Sequence, residues 1–121
     1  KICCMNNFTI YHNPRCSKSR QTLELIKDKD IEPEIILYLE KPPTVSVLSK
    51  IVDYLQMKPR DLLRKGEDEY KTFNLKDMSL DDSTILKIMS ENPKLIERPI
   101  VLSGNKAIIG RPPENVLELI I

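Results

Sequence analysis

The sequence predicts an α/β fold in which a mixed sheet is built from a βαβ half and a ββα half, with a helical block inserted between them. Two observations favour this fold. Residues 7–12 and 34–39 are short strand-like runs on either side of a helical pattern, as in a βαβ unit. Residues 100–102 and 107–109 are short apolar runs joined by a turn at Gly104, and a helical segment follows them. The order of these elements is the arrangement found in thioredoxin.

The first half is predicted element by element from periodicity and from proline. Along residues 7–12, Phe8, Ile10 and His12 alternate with Thr9 and Tyr11, and these β-branched and aromatic side chains indicate a strand. A helix is predicted over 17–30 and must end before Pro33, because proline cannot continue a helix. Residues 34–39 are almost continuously apolar, so this strand is expected to be covered on both faces.

The inserted block, about residues 44–92, is predicted to be helical. Thr44 is the expected N-cap of its first helix, and the acidic residues Asp81 and Asp82 lie in the first turn of its last helix, where negative charge is favourable. A final helix follows the second pair of strands. The predicted helices of the block and the chain end are 45–55, 59–64, one short turn within 65–77, 79–91 and 114–120.

Length and composition indicate one domain, which we assign to residues 5–121. The chain has 121 residues, 40% of them hydrophobic and 31% charged, as in an ordinary globular protein. Residues 1–4 are expected to be a non-native or flexible N-terminal extension. The formal net charge of +1 gives no strong field for nucleic acid or a membrane, and no apolar run is long enough to cross a bilayer.

The cysteines indicate a reducing compartment. There are three, at Cys3, Cys4 and Cys16, and the opening residues, Lys1 to Met5, are not expected to be a secretory signal. An odd count argues against a disulfide scaffold, so a cytoplasmic location is expected, with one cysteine at most carrying chemistry. A single histidine and no ligand cluster predict that the protein binds no metal and no tightly held cofactor.

Cys16 stands where the first strand gives way to the first helix. The N–H groups and partial positive charge of a helix N-terminus favour a thiolate and can bind an oxyanion. Arg15, Lys18 and Arg20 add positive charge nearby. The alternative is that Cys16 is a small, inert buried residue. His12 is likewise either an ordinary strand histidine or a group that orients or helps to ionise the thiol.

Two known thiol motifs do not fit this segment. A Cys-x-x-Cys motif needs a second cysteine at position 19, which is Ser19 in this chain. The tyrosine phosphatase loop needs an arginine at position 22, which is Thr22. Arg20 comes too early to close such a loop. A lone thiol without a local partner must be regenerated by an outside thiol.

Three distant arginines are candidates for the rest of an oxyanion pocket: Arg64, Arg98 and Arg111. A single arginine is usually a solvated surface group. Arg98 and Arg111 each precede a proline, which fixes the backbone beside the side chain. The planar guanidinium can donate paired hydrogen bonds to a tetrahedral oxyanion.

The residues around Cys16 resemble the active-site segment of the arsenate reductases that use glutathione and glutaredoxin. The resemblance runs from about Thr9 to Leu119, nearly the whole chain. It rests on the combination of the following segments in order: His12-Asn13-Pro14-x-Cys16-x-x-Ser19-Arg20-x-Thr22-Leu23, Glu32-Pro33, Leu37-Tyr38-Leu39-Glu40, Pro42-Pro43, Leu62-Leu63-Arg64, Asn92-Pro93, Glu97-Arg98-Pro99-Ile100-Val101 and Gly110-Arg111-Pro112.

The resemblance implies a thioredoxin-like fold with a helical insertion, and it implies roles for individual residues. Cys16 corresponds to the nucleophilic cysteine and His12 to the histidine thought to favour the thiolate. Pro99 corresponds to a cis-proline that faces the thiol. The residues expected to bind the oxyanion are Arg64, Arg98 and Arg111, together with Ser17 and Ser19 of the cysteine turn.

The chain departs from well-characterised members in having Ser17-Lys18 after the cysteine, where those have Gly-Thr, and in ending sooner after the last helix. It looks closest to a short branch of the family, which leaves the physiological substrate open.

The implied activity is reduction of arsenate to arsenite through a Cys16–arsenate adduct that glutathione and glutaredoxin resolve. Glutathione is then a co-substrate, glutaredoxin a protein partner, and the enzyme a monomer. Two alternatives stay open. One is a redox-sensing regulator of the Spx type that binds the RNA polymerase α subunit, although most of those carry Cys-x-x-Cys. The other is a glutathione-dependent monothiol reductase of protein mixed disulfides.

Overall fold

A computed structural model of the chain describes residues 8–120. These residues form two compact units, one made of 8–38 and 98–120 and the other of 39–97. The expectation for residues 1–4 and the predicted start of the first strand at Asn7 lie outside the described residues.

The first unit contains a four-stranded mixed sheet. Its strands are β1 (Phe8–His12), β2 (Glu34–Leu37), β3 (Ile100–Ser103) and β4 (Lys106–Ile109), in the order β2-β1-β3-β4. β1 pairs with β2 in parallel, whereas β1 with β3 and β3 with β4 are antiparallel. Helix α1 (Ser17–Asp28) connects the parallel strands. The predicted βαβ and ββα halves are therefore confirmed.

The chain end adds a short helical segment to the second half. A 3₁₀ turn, Pro113–Val116, leads into α5 (Leu117–Ile120). The predicted helix over 114–120 thus has a 3₁₀ first turn, which begins at a proline. α1 ends two residues before its predicted end, because Asp30 takes a left-handed φ of 62° that no helix accommodates.

The core of the first unit lies between the sheet and α1. Its buried side chains come from both halves of the fold: Phe8, Ile10, Ile26, Ile31, Val101 and Val116. Burying a large aliphatic or aromatic side chain contributes roughly 1.5–3 kcal/mol relative to leaving it in water. This packing fixes α1 against β1, and the junction between these two elements carries Cys16.

The prediction that β2 is covered on both faces is wrong. Among residues 8–120, β2 pairs with β1 alone and lies at an edge of the sheet. Its neighbouring residues Glu34 and Ile35, which belong to opposite faces of the strand, are both exposed. Ile35 is 43% exposed, whereas Tyr38, just beyond the strand, is 1% exposed. A continuous apolar run suits both a buried strand and an edge strand that leads into a buried residue, so periodicity alone could not separate them.

The second unit is helical. Its helices are α2 (Val45–Leu55), α3 (Asp68–Thr72) and α4 (Asp82–Glu91), with 3₁₀ turns at Pro59–Leu62 and Pro93–Leu95. As predicted, Thr44 caps α2: its hydroxyl accepts a hydrogen bond from the Val47 N–H at 3.2 Å. Asp81 likewise accepts from the Thr84 N–H at 2.9 Å. Asp81 is therefore the N-cap of α4, and the helix begins after it rather than at Ser79.

None of the helices within residues 8–120 is long and apolar enough to cross a membrane. In the same part of the chain, no three His, Cys, Asp or Glu side chains are grouped so that they could hold a metal ion.

Candidate active site

The turn between β1 and α1 holds Cys16 at the helix N-cap. The Cys16 N–H donates to the Asn13 carbonyl at 3.0 Å, and the Cys16 carbonyl accepts from the Arg20 N–H at 3.0 Å. The Asn13 side chain accepts from the Arg15 N–H, also at 3.0 Å. These bonds fix the backbone on both sides of the cysteine and leave the N–H groups of the first helical turn for the sulfur.

Cys16 is buried, at 8% exposure, but polar groups surround its sulfur. Burial raises the pKa of the thiol. The Ser19 N–H, the Arg98 guanidinium and the Lys18 N–H lower it, and together they hold the pKa of Cys16 below its ordinary value. In addition, Arg111 places Nη2 3.7 Å from the sulfur. The first unit thus brings together Cys16 and two of the three arginines singled out in the sequence.

The side chain of Arg111 is hydrogen-bonded to the backbone of Arg98. Nε of Arg111 donates to the Arg98 carbonyl at 2.8 Å. The Arg98–Pro99 and Arg111–Pro112 peptide bonds are both cis. The bond before Pro99 agrees with what the resemblance implies, whereas the one before Pro112 was not anticipated.

Gly110 packs the loop of Arg111 against α1. Its N–H donates to the Pro99 carbonyl at 2.9 Å, and the Thr22 hydroxyl, which donates to the Lys18 carbonyl at 2.8 Å, lies 3.5 Å from the Gly110 carbonyl. A Cβ at Gly110 would lie 2.8 Å from the Pro99 ring and would overlap Thr22. Sequence reasoning missed this contact, although a glycine directly before Arg111 was a signal for close approach.

His12 contacts Ser19. Its Nδ1 lies 2.6 Å from the Ser19 hydroxyl, and both side chains are buried. Burial lowers the pKa of His12, and the positive charges of Arg20 and Lys27 lower it further, so the imidazole is neutral at neutral pH.

The two serines of the cysteine turn occupy different environments. Ser17 is exposed, whereas Ser19 is 0% exposed and its hydroxyl accepts from the Asn13 N–H at 3.0 Å as well as contacting His12. Because the Ser19 hydroxyl is used inside the fold, it is the backbone N–H of Ser19 that faces the sulfur.

The surface beside Cys16 is cationic. Arg15, Lys18 and Arg20 are exposed, and none of them pairs with a carboxylate among residues 8–120. The first turn of α1 contains no acidic residue. Positive charge at a helix N-terminus is unfavourable, because the N-terminal end of the helix dipole is also positive. A bound anion would reduce this repulsion.

Arg64 belongs to the second unit and is held there by acidic side chains. Its Nη1 donates to Glu97 at 2.7 Å, and its Nε to Glu67 at 3.4 Å. Its backbone N–H donates to the Leu95 carbonyl at 2.7 Å, beside an antiparallel bridge between Leu63 and Ile96. The guanidinium is therefore fixed by two carboxylates within its own unit.

The sheet order and this site define a thioredoxin-like protein with a thiol of lowered pKa at the start of its first helix. A sequence model of the ArsC family matches residues 11–119, and the chain belongs to this family. It is 53% identical to an uncharacterised Escherichia coli protein, YfgD, over 92% of this chain and 94% of that protein. It is 48% identical to a Haemophilus influenzae protein named arsenate reductase, over 92% and 97% of the two chains.

A solved structure supports the same assignment. A putative arsenate reductase from Yersinia pestis superimposes with a TM-score of 0.88 at 54% identity, and the match covers 92% of this chain and 98% of that one.

Proposed function

We propose that this protein reduces arsenate to arsenite through a covalent adduct on Cys16, and that glutathione and glutaredoxin complete the reduction in the cytoplasm. The observation that carries this proposal is the position of the Cys16 thiol, whose pKa is lowered, beside the guanidinium groups of Arg98 and Arg111. Relatives with similar sequences bear the name arsenate reductase, which supports arsenate as the oxyanion.

The first step is attack by the Cys16 thiolate on arsenic. A sulfur–arsenic bond forms and one arsenate oxygen leaves as hydroxide or, after protonation, as water. Arg98, Arg111 and the N–H groups at the start of α1 would stabilise the negative charge on the remaining oxygens. By resemblance, Arg64 contributes a third guanidinium, and Ser17 joins the same set of oxyanion ligands.

The second stage supplies two electrons. Glutathione displaces a further hydroxide and forms a second sulfur–arsenic bond. A glutaredoxin thiolate then attacks the glutathione sulfur and forms a mixed disulfide, while the electron pair of the broken sulfur–arsenic bond passes to arsenic and reduces it from +5 to +3. Hydrolysis of the remaining bond releases arsenite and regenerates Cys16. The exposed cations Arg15 and Lys18 favour glutathione, whose carboxylates make it anionic.

The direct test measures arsenite formation with glutathione and glutaredoxin. Cys16→Ser should abolish turnover, whereas Cys3→Ser/Cys4→Ser, which removes the other two cysteines of the chain, should retain it. A fully active Cys16→Ser variant would refute the mechanism. A monomeric mass in the same preparation would agree with the proposed state.

A second substrate class is tested with the same proteins. A lone activated thiol also suits a glutathione-dependent reductase of protein mixed disulfides. Turnover on arsenate is therefore compared with turnover on a glutathionylated protein. If the catalytic efficiency is greater on the glutathionylated protein, the assigned substrate becomes a protein mixed disulfide instead of arsenate. The role of Cys16 as the reacting thiol is unchanged in that case.

A further inference from the structure

We infer that Ser19 is a positioning residue for Cys16, and that His12 acts on the thiolate through the Ser19 hydroxyl rather than by direct contact. This inference rests on the part of the proposed function that makes Cys16 the reacting thiol. It assigns Ser19 a role different from the oxyanion binding implied by resemblance.

The Ser19 hydroxyl ties the end of β1 to the start of α1. Ser19 belongs to the first turn of the helix, but its hydroxyl contacts two residues that precede Cys16 in the chain. These contacts are His12 Nδ1 at 2.6 Å and the Asn13 N–H at 3.0 Å. Because Ser19 is fully buried, water cannot replace either partner.

The same residue presents its backbone N–H to the sulfur. A hydrogen bond to a thiolate weakens steeply when its donor is misaligned, so the rotation of the first helical turn decides how strongly this N–H stabilises the negative charge. The hydrogen bonds of the Ser19 hydroxyl therefore fix the orientation of the Ser19 backbone N–H toward the Cys16 sulfur. Loss of either hydroxyl contact would release the turn.

The contact between His12 and Ser19 does not require a charged imidazole. The Ser19 oxygen accepts from Asn13 and retains its own proton, which it can donate to an unprotonated Nδ1. If Nδ1 carries the proton instead, the oxygen has a second lone pair to accept it. In both cases the imidazole stays neutral and its role is to hold the hydroxyl.

This geometry predicts that the reactivity of Cys16 depends on a polar atom at the position of His12 Nδ1 and not on the imidazole ring as such. In His12→Asn, an amide atom bonded to Cγ takes the place of Nδ1. In His12→Gln, the amide atoms lie one bond further out, where Nε2 was. Asparagine should therefore replace histidine and glutamine should not, although neither side chain can be protonated.

The experiment measures the alkylation of Cys16 by iodoacetamide as a function of pH, in a Cys3→Ser/Cys4→Ser background. Ser19→Ala and His12→Gln should each slow the reaction at pH 7 by about three- to tenfold and leave the limiting rate at high pH unchanged, because only the thiolate fraction falls. His12→Asn should stay within about twofold of the parent. The Ser19→Ala/His12→Gln double variant should be no slower than the slower single variant, since the two groups act in one chain.

The inference is overturned if His12→Asn is as slow as His12→Gln, if the two single effects multiply in the double variant, or if Ser19→Ala reacts at the parent rate. Urea unfolding of each variant is measured first. If Ser19→Ala does not fold, the comparison of asparagine with glutamine at position 12 decides the question. Arsenate turnover is not needed for this readout, so failure of the proposed function and failure of this inference are separable.

Discussion

Substitution of Gly110 by alanine tests whether the loop of Arg111 is packed against α1 as closely as the structure shows. The added Cβ would lie 2.8 Å from the Pro99 ring and 3.1 Å from a Thr22 methyl group, inside the 3.4–4 Å of ordinary contact. The loop cannot easily move away, because the Gly110 N–H is bonded to the Pro99 carbonyl at 2.9 Å. Overpacking of this kind costs about 1–3 kcal/mol.

The assay is urea or thermal unfolding followed by circular dichroism, with Gly66→Ala as the matched control. For a chain of this size, a loss of about 1–3 kcal/mol corresponds to a fall in Tm of roughly 4–12 °C. Gly66 is exposed, and nothing lies within 4 Å of a Cβ built on it. Its alanine variant should be neutral or up to about 1 kcal/mol more stable. Equal stabilities of Gly110→Ala and Gly66→Ala would refute the close packing.

Three further predictions concern the thiol and one helix cap. The first is measured in the Cys3→Ser/Cys4→Ser background, where the alkylation rate of Cys16 should rise with pH and reach its plateau at a lower pH than an ordinary cysteine does. The reason is that the lowered pKa of Cys16 preserves the thiolate at lower pH. A midpoint of the rate–pH curve at or above about pH 8.5 would contradict this. Arg98→Gln should slow alkylation at pH 7 by roughly three- to tenfold, as a charged donor to the sulfur is lost, whereas Lys29→Gln at the other end of α1 should change it by less than about twofold. Thr44→Ala should lower the free energy of unfolding by about 1 kcal/mol, and Thr44→Ser, which keeps the capping oxygen, by much less; equal losses would show that the cap contributes nothing.

The order of secondary structure could be predicted because periodicity and breaking residues are local. Thr44 and Asp81 cap their helices by bonding to N–H groups three residues ahead, and such contacts leave a signature in the sequence. The edge position of β2 could not be predicted in this way. It depends on which strand pairs with β1, and β3 lies about 90 residues further along the chain.

The site was predictable in part for the same reason. Cys16 and the donors of its own helix turn are neighbours in sequence, so a lowered thiol pKa could be expected from position alone. The arginines could only be nominated, by the prolines beside them and by resemblance. Their roles in binding substrate stay predictions, although the structure brings Arg98 and Arg111 to the sulfur.

What the sequence by itself determined is the chemistry available at one turn: a cysteine at a helix start, cations around it and no second thiol three residues on. What only the tertiary structure decided is how that turn is held. The approach of Gly110 to Thr22 spans 88 positions of the chain, and the contact of His12 with Ser19 depends on a buried hydroxyl facing inward. Periodicity cannot reveal such contacts, because they arise when whole helices and strands pack together. The sequence of one element does not indicate which other element it will contact.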